Sequence, residues 1–552
     1  MPDILLIQPP VRDFYLTAKR TIPYGLACIA ASLIREGFSA EILDALATSK
    51  SRDTDLPGEM DYLRTYYGKP DLSPFALFHR FRHFGYSFEH IGNQARKSGA
   101  FLIGISSLFT AYSSEALETA RTVKKFLPSC RIVMGGHHPT NLPEKVMECE
   151  AVDFVIRGEG ESALPMLAAC LKKGESPDRV PGIVFRKSDG SLHVSPPAMM
   201  EHPDDWPLPA MHLVKQQFYQ RKGRGSTVIV SSRGCPMKCS YCSVGASSLK
   251  YRRRNAESVL REIETAVKEY DAGFIDFEDE NLSLDRKWFL QLLHGIMEQF
   301  GESNPELRAM NGLFPPSLDE ELIRTMKKAG FQTLNLSLGS ASAEQLRRFR
   351  RPDVRDSVEK AIVFAKKYGM EAVCYMIAAA PGQNPEDSVA DLLWIFSRNA
   401  LAGVSVYYPA PGSEDYEKCA QSGLLPSGFS LMRSSALPIS HTTSRTDAVT
   451  ILRLGRIANF IKFLRDKGEK LPIPLTIADK KISPDMGREE TGRLLLAYFL
   501  HDGKIRGITP DREIYEHENS LSLTHLFLSA LLQQSGSISE KSQMGKLAYS
   551  GA

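Results

Sequence analysis

The chain has 552 residues, 43% of them apolar and 24% charged, and a formal net charge of +3 from 68 basic and 65 acidic side chains. That length exceeds one compact core and calls for several domains, while the near balance of charge gives no phosphate-tracking surface, so nucleic acid is not an expected partner. The longest apolar runs (372–381 and 494–500) fall short of the roughly 20 residues that cross a bilayer, MPDILLIQPP lacks the features of a signal peptide, and six of the nine cysteines are scattered as thiols of a reducing compartment, which makes the cytoplasm the expected location.

DILLIQPP is a short apolar run stopped by two prolines, as in a buried parallel strand. GLACIAASLIREGF carries apolar residues at helical spacing and stops at Gly37, where a C-cap falls. AEILDA reads as a second strand. Residues 50–95 are rich in aromatics and histidines, and within them LSPFALFHRFRHFGYSF (72–88) suits either an apolar site or surface-helix packing. The alternation then resumes with FLIGISS as strand, SSEALETARTVKKFL as helix, and RIVMGG and AVDFVIRGEGE as strands. Strands alternating with helices predict a Rossmann-like, doubly wound parallel sheet over residues 1–200. Ligands bind beyond the carboxyl ends of such strands, which singles out the small-residue loops 104–110 and 135–140. No GxGxxG follows the first strand, so a dinucleotide is the weaker reading.

Residues 201–223 begin with the proline-rich EHPDDWPLPAMHLVK and read as a linker. STVIVSSRGC is then a strand running into a glycine loop, and SSRGCPMKCSYCS (231–243) sets Cys235, Cys239 and Cys242 close together. Scattered structural thiols do not account for that density. A zinc site wants four ligands in paired knuckles, and no second knuckle follows. An iron–sulfur cluster is the third reading; a [4Fe–4S] cluster normally takes four cysteines, so three leave one iron open to another ligand.

Downstream, AESVLREIETAVKEY, DRKWFLQLLHGIMEQF, DEELIRTMKKAG, DSVEKAIVFAKKYG and PEDSVADLLWIFSRN are helical, and GFIDFEDE, LRAMNGL, TLNLSLGS, EAVCYMIAAAPG and GVSVYYPAPGS are strands. This predicts a parallel (β/α) TIM-type barrel, whole or partial, over residues 224–415, with its chemistry at the strand C-terminal ends. FEDEN puts Glu278, Asp279 and Glu280 at one such end. TDAVTILRLGRIANFIKFLRD, TGRLLLAYFLHDG and LTHLFLSALLQQ predict a helical C-terminal domain over residues 416–552.

The CxxxCxxC spacing, with Tyr241 just before the last cysteine, resembles the radical S-adenosylmethionine (radical SAM) superfamily over about residues 224–415. The series PYGLACIAASLIREGFSAEILDA, GISSLFTAYSSEALETA, VMGGHHPTNLPE and DFVIRGEGE resembles the cobalamin-binding domain found ahead of many such enzymes, over about residues 1–170. The resemblance implies three cofactors: a [4Fe–4S] cluster on Cys235, Cys239 and Cys242, S-adenosylmethionine filling the open iron position through its amino and carboxylate groups, and cobalamin. It implies contacts to S-adenosylmethionine from Tyr241, Asp279, Glu280, Ser337 and Ser340, and contacts to cobalamin from Ser106, Ser107, Leu108, Thr110, Gly135, Gly136, His137 and Glu159.

Two departures stand out. The Asp-x-His-x-x-Gly motif that presents a histidine to cobalt in domains of the methionine synthase type is absent, which implies cobalt without that ligand, and Gly339 stands where relatives carry the glutamate of a Gly-x-Glu-Ser pattern. The implied activity is transfer of a methyl group from methylcobalamin to an unactivated carbon by way of a 5′-deoxyadenosyl radical. The implied substrate is a small, lipid-like or natural-product molecule, and the electron donor a flavodoxin or ferredoxin. Radical ring closure or rearrangement without methyl transfer is the alternative, and an iron–sulfur sensor or binding module is the rival of another class. No catalytic acid or base is assignable from the sequence.

Overall fold

Ile4–Gln8 (β1) is buried along its length and alternates its side chains between two cores. In the computed structural model, which describes residues 1–16, 22–246, 250–477 and 481–533, this strand lies inside a seven-stranded sheet. The other strands are Ala40–Asp44 (β2), Leu102–Ser106 (β3), Arg131–Gly135 (β4), Phe154–Ile156 (β5), Ile183–Arg186 (β6) and Leu192–Val194 (β7). Their order is β7-β6-β5-β4-β3-β1-β2; the first five strands in sequence are mutually parallel, and β6 and β7 add antiparallel. The parallel part therefore runs 2-1-3-4-5, and its topological switch point falls between β1 and β3. Ile4 and Leu6 pack with Leu26, Ala30 and Leu33 of Tyr24–Arg35 (α1) and with Leu164 and Leu167 of Gly160–Lys173, while Leu5 and Ile7 pack with Ile91 and Ala95 of Phe88–Ser98 (α2) and with Ala116 and Val123 of Ser113–Phe126 (α3). Apolar residues on both faces of the strand are what cover the sheet with helices on both sides. Gly160–Lys173 is α4.

The chain divides into two compact units: Met1–Pro57, Arg80–Gln332 and Pro409–Met432 form the first, and Gly58–His79, Thr333–Tyr408 and Arg433–Ala552 the second. The first unit holds, besides the seven-stranded sheet, Gln220–Arg221 (β8), Arg224–Ile229 (β9), Ala272–Phe277 (β10) and Glu306–Arg308 (β11) in the order β8-β9-β10-β11, with β9, β10 and β11 parallel. Ala256–Tyr270 (α5), Arg286–Phe300 (α6) and Glu320–Ala329 (α7) alternate with them, each started by a side chain (Asn255, Asp285, Asp319) that accepts a hydrogen bond from a first-turn N–H. Between the two sheets in sequence, residues 203–219 run in short 3-10 turns, and Met211, Val214 and Tyr219 pack against Ile22, Ala27 and Val228.

The second unit contains the parallel strands Thr333–Gly339 (β12), Glu371–Ala378 (β13) and Leu401–Val406 (β14), in that order, with Arg355–Lys367 (α8), Pro385–Ser397 (α9), Arg445–Asp466 (α10) and Arg488–Asp502 (α11). Helix α10 packs on β14, where Asn459 Oδ1 accepts from the Ala402 N–H at 2.8 Å and Asn459 Nδ2 donates to the Ala402 carbonyl at 3.0 Å. The C-terminal region is not wholly helical: Arg506–Ile508 and Ile514–Glu516 form an antiparallel hairpin before a helix at 521–533. Gln534, the end of the last expected helix, and the residues after it lie outside the described residues. No helix runs through 72–87, so surface-helix packing does not explain the aromatics there. Phe75 instead meets Phe460 edge-on at 5.6 Å in the second unit, and Phe81 meets Phe14 at 5.3 Å in the first.

Candidate active site

The cysteines sit on a loop whose two ends are tied. Ser232–Arg233 pairs antiparallel with Arg252–Arg253, in the register Ser232 to Arg253 and Arg233 to Arg252. Within the loop, the Asp415 N–H donates to the Ser240 carbonyl and Ser240 Oγ donates to Asp415, both at 2.9 Å. Cys239 is buried, Cys235 and Cys242 are half-buried, and none of the chain's nine cysteines forms a disulfide. Burial, then the neighbouring Cys242 and Cys239 and the carboxyl of Glu280, push the Cys235 thiol above its ordinary range. A thiol whose ionisation its surroundings oppose suits positively charged irons, which stabilise a thiolate. Among the described residues no three His, Cys, Asp or Glu side chains gather tightly enough for a single metal ion. A cluster needs each thiolate only on its own iron. The donor set fits a cluster.

The acidic end of β10 splits into two roles. Asp279, 1% exposed, accepts hydrogen bonds from Ser231 Oγ at 2.6 Å, Ser232 Oγ at 2.5 Å and the Ser231 N–H at 3.2 Å, so its oxygens fasten the strand leading to the cysteines. Glu280 is half-buried, and burial pushes its carboxyl up to about 7. Tyr241 lies half-buried in the cysteine loop. Ser337 and Ser340 belong to the second unit. There Ser340 Oγ donates to Asp391 at 2.7 Å, the Ala341 N–H reaches the same carboxylate at 2.7 Å, and the Ser337 carbonyl accepts from Arg351.

At the carboxyl edge of the seven-stranded sheet, Ser106 ends β3 and Gly135 ends β4. Ser107 is 3% exposed, and its buried hydroxyl has no hydrogen-bond partner, a polar group that a ligand could satisfy. Gly136 has φ +120°, and a Cβ there would come within 2.5 Å of the Ser107 carbonyl, so only glycine lets the two loops lie this close. Leu108 and Phe109 are 44% and 38% exposed, apolar side chains held out at the switch point. An orphaned hydroxyl beside exposed apolar side chains fits a large, partly apolar cofactor such as a corrin with a polar tail. His138 is 1% exposed, with Nδ1 3.3 Å from Thr110 Oγ1 and its ring edge-on to Phe429; burial lowers it to about 4, so it is neutral. His137 is exposed. Glu159 accepts from Arg252 and from the Met200 N–H.

Residues 229–395 match the Radical SAM superfamily, and residues 78–168 match the B12 binding domain. The chain is a B12-binding radical SAM enzyme. An uncharacterised methyltransferase of Pyrococcus horikoshii is 26% identical over 434 residues, 76% of this chain and 84% of that protein. The cytidylyl-2-hydroxyethylphosphonate methyltransferase of Streptomyces wedmorensis is 23% identical over 470 residues, 78% and 84% of the two chains. Among solved structures, the radical SAM methyltransferase TsrM from Kitasatospora setae, with cobalamin and a [4Fe–4S] cluster bound, superposes with a TM-score of 0.58 at 17% identity, covering 76% of this chain and 75% of that one. This B12-binding radical SAM enzyme thus shares that fold: a cobalamin-type Rossmann sheet followed by a TIM-type core. No helix among its described residues is long and apolar enough to cross a membrane.

Sequence reasoning passed over Ser231, Ser232, Glu161, Arg233 and Arg252. The first two serve Asp279; the last three form, with Glu159, a buried charge network beside the cysteine loop. The available signal was local: arginines flank the cysteine motif on both sides, in RGC and YRRR.

Proposed function

We propose that the enzyme is a cobalamin-dependent radical SAM methyltransferase acting on an unactivated carbon of a small molecule. The observation that carries this reading is the presence, within one compact unit, of the CxxxCxxC loop and of a 2-1-3-4-5 sheet with an unpartnered buried hydroxyl at its switch point. The methyltransferase names of the relatives support it. When bound, the cluster supplies the electron that splits S-adenosylmethionine and the corrin carries the methyl group to be transferred.

The chain's own residues then bind and orient. Cys235, Cys239 and Cys242 hold three irons and leave the fourth to S-adenosylmethionine. Glu280 accepts from the ammonium of that ligand, a charge-assisted contact for which its oxygens are better placed than those of Asp279, already occupied by serines. Tyr241 flanks the cluster, and in the second unit the hydroxyl of Ser340 is oriented by Asp391. Ser106, Ser107, Leu108 and Thr110, with Gly135, Gly136 and His137, line the corrin and its tail, Ser107 through its open hydroxyl. A flavodoxin or ferredoxin delivers the electron, and nine cysteines with no disulfide among them support a cytoplasmic setting.

The test needs no substrate. Anaerobically reconstituted, reduced protein incubated with S-adenosylmethionine should form S-adenosylhomocysteine only when cobalamin is present, and 5′-deoxyadenosine with or without it. Deoxyadenosine without cobalamin-dependent S-adenosylhomocysteine would favour ring closure or rearrangement and sink the methyltransferase reading.

A further inference from the structure

Glu159 and Glu161 stand at the start of α4, just beyond the end of β5, and are 7% and 5% exposed. Glu159 takes both terminal nitrogens of Arg252, one oxygen from each, at 2.9 and 2.8 Å, and lies 3.6 Å from Arg233. Glu161 accepts from Arg233. Arg233 and Arg252 face each other across the two-residue ladder that closes the cysteine loop. Two carboxylates from one helix start of the B12-binding domain therefore grip both ends of the loop that carries Cys235, Cys239 and Cys242. On its other side the same ladder is fastened by Asp279 through Ser231 and Ser232.

These contacts have a fixed geometry. A bidentate guanidinium–carboxylate pair constrains angle as well as distance, and out of water a broken pair leaves an uncompensated charge. Burial works against the charges, yet Arg233 holds Glu161 below the usual carboxylate range, and Glu161 and Glu159 keep Arg233 protonated. Carboxylates at a helix N-terminus are further favoured by the helix dipole.

We infer that Glu159 and Glu161 are positioning residues for the radical chemistry: acting through Arg252 and Arg233, they hold the cluster loop in one orientation on the B12-binding domain. The inference rests on the three cysteines being cluster ligands. It assigns to Glu159 a task toward the cluster, in place of the cobalamin contact that the family resemblance implies.

The experiment uses the full chain, reconstituted with iron and sulfide and reduced by dithionite, with electron paramagnetic resonance of the cluster recorded through a titration of S-adenosylmethionine. Glu159→Gln and Glu161→Gln should keep the wild-type iron content, shift the g-values of the S-adenosylmethionine-bound cluster, and weaken S-adenosylmethionine binding about tenfold, the usual scale for partners that orient a metal ligand. Arg233→Lys, which keeps the charge but not the fork, should fall between. Wild-type g-values and affinity in iron-loaded Glu161→Gln would overturn the inference whatever the melting temperature, because the pairs would then only stabilise the fold. Should the glutamine variants fail to load iron, Arg233→Lys decides by the same two readings. A wild-type chain that takes up no iron would overturn both the cluster assignment and the inference, whereas iron uptake with unchanged variant spectra removes the inference alone.

Discussion

Replacing Cys235, Cys239 and Cys242 together by alanine removes the three proposed iron ligands, and iron–sulfur absorbance and S-adenosylmethionine cleavage should both vanish. Cys374→Ala should leave both intact, since that thiol is fully buried in β13, in the other unit. Iron and sulfide assays beside the absorbance spectrum check both expectations. His138 gives a second test. Its folded pKa of about 4 lies below the ~6.5 of a free imidazole, so between those values the unfolded chain binds more protons. The His138 contribution to stability is therefore complete above about pH 6.5 and is lost as pH falls toward 4, by up to about 3 kcal/mol. Melting curves at about pH 7.5 and about pH 5 should differ less for His138→Gln than for the wild type. The cysteine triplet was readable because its members sit within eight residues and their spacing is itself the chemistry. Glu159 was not, because its partner Arg252 lies 93 residues away and nothing in GEGE announces an arginine.

Asn459 couples α10 to β14. Its side-chain amide stands in for a neighbouring strand beside Ala402, supplying one donor and one acceptor to the free edge of β14. Asn459→Leu would leave that N–H and carbonyl without partners, at a cost of about 1–3 kcal/mol. The denaturant midpoint should fall with an unchanged m-value, since the surface exposed on unfolding is the same. Alternating periods in the sequence identified the parallel strands and the helices between them, because a buried parallel strand and an amphipathic helix each write their burial into consecutive residues. The antiparallel additions β6 and β7, and the hairpin of Arg506–Ile508 with Ile514–Glu516, left no such mark. Strands of three or four residues are too short to show a period, and their pairing is decided by what lies beside them. The aromatics of 72–88 failed as a single surface for a related reason: Phe75 and Phe81 find their partners in different units, at Phe460 and Phe14.

For the whole molecule, the telling feature is that the first unit is assembled from three stretches of chain, the last of them Pro409–Met432. That stretch brings Asp415 to Ser240 inside the cysteine loop and Phe429 to His138 beyond the end of β4. A chain stopped after Tyr408 has every cysteine of the motif and still lacks these contacts, so under identical reconstitution it should bind less iron than the full chain; equal iron per chain would show that the late segment is dispensable to the cluster. Ser240 and its partner Asp415 are 175 residues apart in the chain. At the ordinary pace of translation, about 5–20 residues per second, Asp415 is made roughly 10–35 s after Ser240. Through that interval the cysteine loop has the ladder that closes it but not its contact to Asp415. The loop therefore gains this contact only after about three quarters of the chain has been made, long after its last cysteine.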